Sequence, residues 1–530
     1  MSNNVLPADI TALLDIGVDK WHAQASWPVS EEEFSNLSNV VFQSYGEMLD
    51  TLPHDLQDVF LVDLRFVSFL PQYFHAAAVK ERSNHASIEV SYGNLARPFY
   101  EPDWSAHAEQ YNIKLSPFDK VRFRIREAIR KFRFNRHLPV WQRCLAVFKK
   151  SKCWSFGVFD SDKREYLSSD ITWIESPFLE NFLSNASKHS TTPTAQCRSA
   201  VEKYLDDICA KVQILDGMHL PIAEIADTWV TRLINLHEQY SAVMTSNRKP
   251  ELVLVSGLGD PANRIMALAA KRAGAHVVAF SHGNDTGRTE NITQSFLEYA
   301  VCNEFVSISQ PAADFHTHQL KQSSWKFCSQ TTFSALKTDQ YQRKFSQIER
   351  GEHSIKNVML MGFPMHPQRY VYGKGEFFQF RLSAELDVAR VLREAGYRVL
   401  YKAHPETIHI TEQIMNSRVD EIVHAPFESE LQRADCLVFT YPLTTTFGAS
   451  LATDIPIVLL DHKGRKWVAR AYEMLKHRCA LVSTSLDENG KNRFCENELL
   501  DAIEQSPQKM DHSYLNEYMS PATKTVPGES

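Results

Sequence analysis

Two stretches in the second half of this chain combine residue types suited to phosphate. One is Lys402-Ala403-His404-Pro405-Glu406; the other is FTYPLTTTFGASLATDIPIVLLD over 439–461. Each loop leaves a β-rich run, so both are expected on one edge of a parallel sheet. His404 can donate a hydrogen bond to a phosphate oxygen, and Pro405 stiffens the loop that carries it. Thr444, Thr445 and Thr446 open a helix, where unpaired backbone N–H groups and the dipole favour an anion and the hydroxyls add donors. Together these groups suit a monophosphate or diphosphate leaving group whose charge grows as a bond breaks. A third candidate is Ser281-His282-Gly283-Asn284-Asp285, which follows the strand HVVAFS and qualifies by position alone. The bland alternatives stand beside it: His282 can simply cap the strand end, and an Asn-Asp pair often makes a turn.

Other motifs compete. Gly257-Leu258-Gly259-Asp260-Pro261-Ala262 fits G-x-G-x-x-A between a strand and a helix, but the next strand ends at Phe280-Ser281 without the acidic residue a dinucleotide ribose needs. The glycines better suit a tight turn beside an acceptor. His316-Thr317-His318, with Asp314 nearby, lacks further ligands and reads as a surface loop; Asp160-Ser161-Asp162 sits among polar residues and reads as a turn. Neither a metal nor a cofactor is expected. The nine cysteines show no C-x-x-C spacing, which fits reduced thiols in a cytoplasmic protein.

These residues need a scaffold, and 530 residues with 43% hydrophobic content suffice for two or three domains. A net charge of -7 argues against general nucleic-acid binding. No signal peptide is expected at MSNNVLPADITALLDIG, and no run approaches the roughly 18 apolar residues of a membrane span. Residues 1 to about 245 are irregular and aromatic-rich. From 251 the texture changes to β-rich runs alternating with helical patterns, which predicts parallel α/β sheets. ELVLVSG is a strand, Asp260 caps a helix, Pro261 opens it and Gly274 ends it. FLEYAVC and WKFCS are strand-like. A second series starts at NVMLMGFP, continues through helix SAELDVARVLREA and Gly396, and closes on PIVLLD; Asp435 and Asp461 flank strands and shape turns. The expected fold class is α/β, with an N-terminal acceptor-side domain over 1–345, a C-terminal donor domain over 346–490 and a flexible tail over 505–530.

The His-Pro loop, followed about forty residues later by a strand and a hydroxyl-rich helix start, resembles bacterial surface-polysaccharide transferases of GT-B architecture. These include teichoic-acid glycerophosphate polymerases, the Kdo transferases of capsule and O-antigen assembly and, more loosely, bacterial sialyltransferases. The resemblance covers roughly 250–465. It implies two Rossmann-like domains facing a cleft, and a metal-independent transfer from a CMP- or CDP-linked sugar to a glycan or lipid-linked acceptor. It carries phosphate contact onto His404 and onto Thr444 to Thr446, although the family's usual pair is serine. A His-Gly pair in the family's N-terminal half maps onto His282-Gly283 as the catalytic base or an acceptor contact. Asp285 and Glu290 would orient that imidazole or act as the base themselves. An inverting transfer needs one base, whereas a retaining one could use a carboxylate nucleophile. A sugar-nucleotide epimerase of the same fold and a non-catalytic glycan-binding scaffold are the alternatives.

Within 120–152, KVRFRIREAIRKFRFNRHLPVWQRCLAVFKKSK, basic and apolar residues interleave with Glu127 as the only acid. The pattern fits a patch for anionic lipid or an anionic glycan; the resemblance implies the lipid, at the inner membrane, where the protein would then lie peripherally. The pattern fits equally a covering helix whose basic face is simply solvated. On the first reading, reversing charges among Arg122, Arg126, Arg130 and Lys131 weakens liposome binding.

Overall fold

The computed structural model describes residues 5–519 except 25, 95, 114–115, 136–137, 149, 158–162, 165, 168–172, 184–193, 282–288, 290–294, 324, 337–353, 364 and 366–377. The chain is a mixed α/β protein built on two mainly parallel sheets. A short strand β1 (Val5–Pro7) pairs in parallel with β2 (Glu89–Ser91). Six strands form the first large sheet: β3 (Cys153–Phe156), β4 (Ile174–Glu175), β5 (Leu252–Val255), β6 (His276–Phe280), β7 (Glu304–Ser307) and β8 (Thr332–Ala335). Their order is β4-β3-β5-β6-β7-β8 and every pairing is parallel. The second sheet comprises β9 (Asn357–Met361), β10 (Arg398–Lys402), β11 (Glu421–Val423), β12 (Cys436–Phe439), β13 (Ile457–His462), β14 (Ala480–Leu486) and β15 (Asn492–Arg493). Its order is β11-β10-β9-β12-β13-β14-β15, parallel except at β15.

Both sheets reverse their winding direction at one place. In the first, β3 has the next strand on one side and β5 on the other; in the second, β10 and β12 flank β9. Such reversal points open crevices at the carboxyl ends of strands. The central strands β3, β5, β9, β12 and β13 are short runs buried on both faces, as helix-covered parallel sheets require, while the outer strands β8, β11 and β15 are mostly half-buried or exposed.

Local signals in the sequence explain much of this. Asp260 accepts a hydrogen bond from the Asn263 N–H at 3.0 Å and Pro261 opens the helix Pro261–Arg272. Gly274, with φ +94°, turns the chain back toward β6 in a conformation that glycine adopts without a side-chain clash.

Elsewhere the structure differs from expectation. The first sheet begins at Cys153, well before 251, and much of residues 31–244 is long helix: Glu31–Thr51, Leu64–His85, Thr194–Lys211 and Ile222–Met244. FLEYAVC forms a wide helical turn at Ser295–Tyr299, and WKFCS a tight one at Lys326–Cys328. His316 is no loop residue. It lies inside the helix Gln310–Ser323, where burial lowers its pKa to about 3, and its Nδ1 meets the Tyr299 hydroxyl at 2.5 Å. Of the tail expected over 505–530, the described part is folded: Ser506–Gln508 and Leu515–Met519 are helical turns, and Tyr514 and Tyr518 are buried. The expected boundary at 345–346 lies outside the described residues.

Candidate functional site

The phosphate-binding candidates sit at the reversal point of the second sheet. The His404 loop leaves the carboxyl end of β10 and the threonine run leaves that of β12, with β9 between them. Two strand spacings separate the loops by roughly 10 Å. His404 caps the turn Pro405–Thr407, its Nδ1 accepting from the Glu406 N–H at 3.4 Å. That assignment leaves the ring proton on Nε2, the tautomer that donates. Thr444 caps the helix Thr445–Leu451: its hydroxyl oxygen accepts from the Phe447 N–H at 3.0 Å. The three threonines are therefore not equivalent, since Thr444 spends its oxygen on the cap while Thr445 is exposed at the first helical turn.

The structure adds a group that the motifs did not single out. Glu385, on the helix Phe378–Glu394, is fully buried at this reversal point. Its carboxyl accepts from the Phe363 N–H at 3.0 Å, the Tyr401 hydroxyl at 2.5 Å and the Thr440 hydroxyl at 3.2 Å. One carboxyl thus ties together the ends of β9, β10 and β12. Burial pushes its pKa up to about 7, against those three hydrogen bonds and the nearby Arg381. Arg381, one turn earlier, stacks on Tyr441 with 3.6 Å from its guanidinium carbon to the ring centroid. Gly362 completes the cluster, because a Cβ there would run into the Tyr401 ring. The signal was present in the sequence: Glu385 sits among apolar positions Leu382, Val388, Ala389 and Leu392 on one helix face.

At the carboxyl edge of the first sheet, Lys163 is fully buried between the reversal-point strands. Its Nζ donates to the Phe156 carbonyl at 2.7 Å and reaches the Ser256 hydroxyl at 2.8 Å. Lys163 directly follows Asp160-Ser161-Asp162, which lies outside the described residues. On the helix Pro261–Arg272, Arg264 is buried and binds four backbone carbonyls: Leu61 at 2.8 Å, Leu258 at 3.2 Å, Leu297 at 2.6 Å and Phe296 at 2.7 Å. Burial lowers its pKa to about 10. Arg264 helps shape a cavity of about 350 Å³ walled by Phe42, Phe69, Phe99, Leu258 and Phe296, with Arg65 and Gln72 as polar members. Its volume falls in the range of small-ligand pockets, roughly 300–1,000 Å³.

His282, Asp285 and Glu290 lie outside the described residues. The flanking residues are placed. Ser281 bonds to β7 through its N–H to the Val306 carbonyl at 2.9 Å. Thr289 makes an antiparallel bridge with Trp467, beyond β13 in the second sheet. Trp467 in turn donates from Nε1 to Asp461 at 2.8 Å, and the Tyr472 hydroxyl donates to the same carboxylate at 2.7 Å. The carboxyl-edge loops of the two sheets therefore touch. Asp461 does more than shape a turn, because it fixes that bridge. Asp435 holds the start of β9 by accepting from the Lys356 and Asn357 N–H groups at 2.9 Å and 2.8 Å. Among the described residues, no group of three or more His, Cys, Asp or Glu is arranged to hold a metal.

No family model and no curated protein matches this chain. Among solved structures it is similar to the UDP-N-acetylglucosamine 2-epimerase from Rickettsia bellii, at 10% identity and a TM-score of 0.29, over 61% of this chain and 73% of that one. A likeness of that degree carries no argument about fold or chemistry.

Proposed function

We propose that this protein is a GT-B glycosyltransferase whose two Rossmann-like halves face a cleft. It moves a sugar, Kdo or a related acid, from a CMP- or CDP-linked donor to a cell-surface polysaccharide or glycolipid. The observation that carries the reading is the second sheet's reversal point, where the His404 loop and the threonine helix flank β9 at one carboxyl edge. Donors fixed on strand ends suit the developing charge of a departing phosphate. The bridge Thr289–Trp467 supports a cleft reading, because it ties the edge that carries the His282 segment to the edge that carries the donor loops. The apolar cavity lined in part by Leu258 and Gly259, in the loop after β5, suits an acceptor with an apolar part.

In this reading His282 takes the proton of the acceptor hydroxyl, whose oxygen attacks the anomeric carbon. The nucleotide leaves with its phosphate held by the His404 Nε2–H and the N–H and hydroxyl groups at Thr445 and Thr446. Calorimetry with CMP, CDP, UDP and GDP beside a transfer assay tests the assignment. His404→Ala removes a charge-assisted donor worth on the order of 1.5–3 kcal/mol, so affinity for the preferred nucleotide falls about tenfold to a hundredfold. His282→Ala leaves that affinity nearly unchanged while turnover falls about a hundredfold or more. If His282→Ala abolishes nucleotide binding and His404→Ala does not, the two halves are reversed. Epimerisation of a nucleotide sugar without any acceptor would rule out transfer.

A further inference from the structure

Large apolar side chains stand exposed in only one region of the described residues, 113–148. On the helix Pro117–Phe134, Phe118, Ile125 and Ile129 recur at spacings that align them on one stripe. On the next helix, Val140–Phe148, Trp141, Leu145 and Phe148 do the same. Phe118 is 76% exposed and Phe148 88%, values seldom seen for side chains of this size unless something covers them.

The opposite face of the first helix is fastened to the first sheet. Lys131 is buried against Glu175 at 2.5 Å, Glu127 receives Arg248, and Asn135 exchanges two hydrogen bonds with Ile174, each 3.0 Å long. Arg130 lies over the Phe178 ring, 4.8 Å from its centroid. The two helices are locked together by Arg143, which stacks on Phe132 at 4.0 Å and donates to its carbonyl at 3.2 Å. The apolar stripe is therefore held outward on a rigid support. Lys131 and Arg130 face the protein, contrary to the expectation that they belong to a solvent-facing basic patch.

We propose that this pair of helices docks in the plane of an anionic phospholipid surface, with its apolar stripe inserted and Arg122, Arg124, Arg133 and Lys150 around it on the headgroups. Charge selects the occupant. Residues 117–150 carry eleven Lys or Arg and two acids, in a chain whose net charge is -7. Both acids are engaged: Asp119 bonds to its helix cap Ser116 and Glu127 pairs with Arg248. A second copy of this chain would bring two basic rims together across a self-complementary contact, which like charges oppose. Neither helix is long and apolar enough to cross a bilayer, so the helices lie on the surface. The inference rests on exposure and charge and stands independently of the sugar-transfer reading.

The test is sedimentation of the full chain with phosphatidylcholine vesicles, with and without phosphatidylglycerol. The wild type binds the phosphatidylglycerol vesicles, and omitting that lipid weakens binding about tenfold or more. Trp141→Ser with Phe148→Ser weakens binding about tenfold or more, and so does Arg122→Glu with Arg124→Glu. Because these side chains are exposed, circular dichroism and the melting temperature stay as in the wild type, as does nucleotide affinity in solution. Failure of the wild type to bind, or equal binding by all forms, overturns the proposal. A wild type that elutes as a dimer, dissociates on Trp141→Ser with Phe148→Ser and ignores vesicles also overturns it, in favour of self-association.

Discussion

Glu385 is a carboxyl that the fold prefers protonated. Its folded pKa, about 7, lies above the ordinary value of 4.5, so the neutral form is the one the native state favours. The stability it contributes is complete below about 4.5 and is lost as pH rises through about 7. A shift of that size corresponds to roughly 3 kcal/mol. Glutamine mimics the protonated state, with its carbonyl placed for the Phe363 and Thr440 donors and its amide donating to Tyr401. Urea unfolding at pH 5 and pH 8 should therefore show a smaller fall in stability for Glu385→Gln than for the wild type, by roughly 3 kcal/mol. Identical pH slopes would show that Glu385 does not titrate in this range. The buried His75 and His316, both with pKa lowered to about 3, act with the opposite sign, because their contribution is complete above 6.5 and lost as pH falls. Subtracting wild type from variant removes them. At this scale the sequence was half legible. His404 and the threonines are polar residues at strand ends, where position alone marks them. Glu385 and Arg264 are charged residues inside apolar helix faces, and their partners lie on elements distant in the chain. The threonines allow a finer test. Thr444→Ala loses a helix cap and costs about 1 kcal/mol of stability, while Thr444→Ser keeps the cap.

Elements were legible where local chemistry decided them. The helix Pro261–Arg272 carries its cap, its proline and its terminal glycine in sequence, and the second sheet follows alternating β and helical patterns as far as β13, whereas β14 and β15 extend it beyond the expected close at PIVLLD. The strand Cys153–Phe156 was not, because a four-residue buried run between a basic helix and polar turns has no periodicity of its own. FLEYAVC misled for the same reason: Phe296 and Tyr299 are buried as in a strand, but a helical turn buries them. Glycines separate similarly. Gly259, in the dinucleotide-like motif, has open space where a Cβ would stand, whereas Gly362 lies against the Tyr401 ring. Tyr401 is fully buried and held by Glu385, so it cannot move aside. Gly362→Ala should thus cost roughly 1–3 kcal/mol, and Gly259→Ala close to nothing, in the same urea titration. Equal effects at the two positions would mean that the β9 end can shift to admit a methyl group.

At the scale of the molecule, each chain end is attached to the sheet it is not part of. The N-terminal segment lies on the second sheet's half. There the Trp27 N–H donates to the Asn489 carbonyl at 2.9 Å, Lys491 donates to the His22 carbonyl at 3.0 Å, and His462 approaches Glu31 at 3.2 Å. The C-terminal segment returns to the first sheet's half, where Ser309 donates to the Tyr518 carbonyl at 2.7 Å and Tyr514 stacks on Tyr518 with centroids 5.3 Å apart. Trp27 and Tyr518 are both buried, so each closure excludes water over a large side chain. Nothing in the composition announces this, because the polar stretch that precedes and includes PATKTVPGES reads as a flexible tail. Two halves joined through both chain ends are expected to unfold together, whereas halves joined by a single linker often melt separately. Calorimetry should show one transition, with calorimetric and van't Hoff enthalpies in agreement. Tyr518→Ala removes a buried aromatic and should destabilise by roughly 3 kcal/mol, as should Trp27→Ala at the other end. Each should lower the one transition without dividing it, since a loss at either closure is felt by both halves. Two transitions in the wild type, or a Tyr518→Ala variant in which only one of two transitions moves, would show that the halves are thermodynamically separate and that the crossed ends hold each half alone.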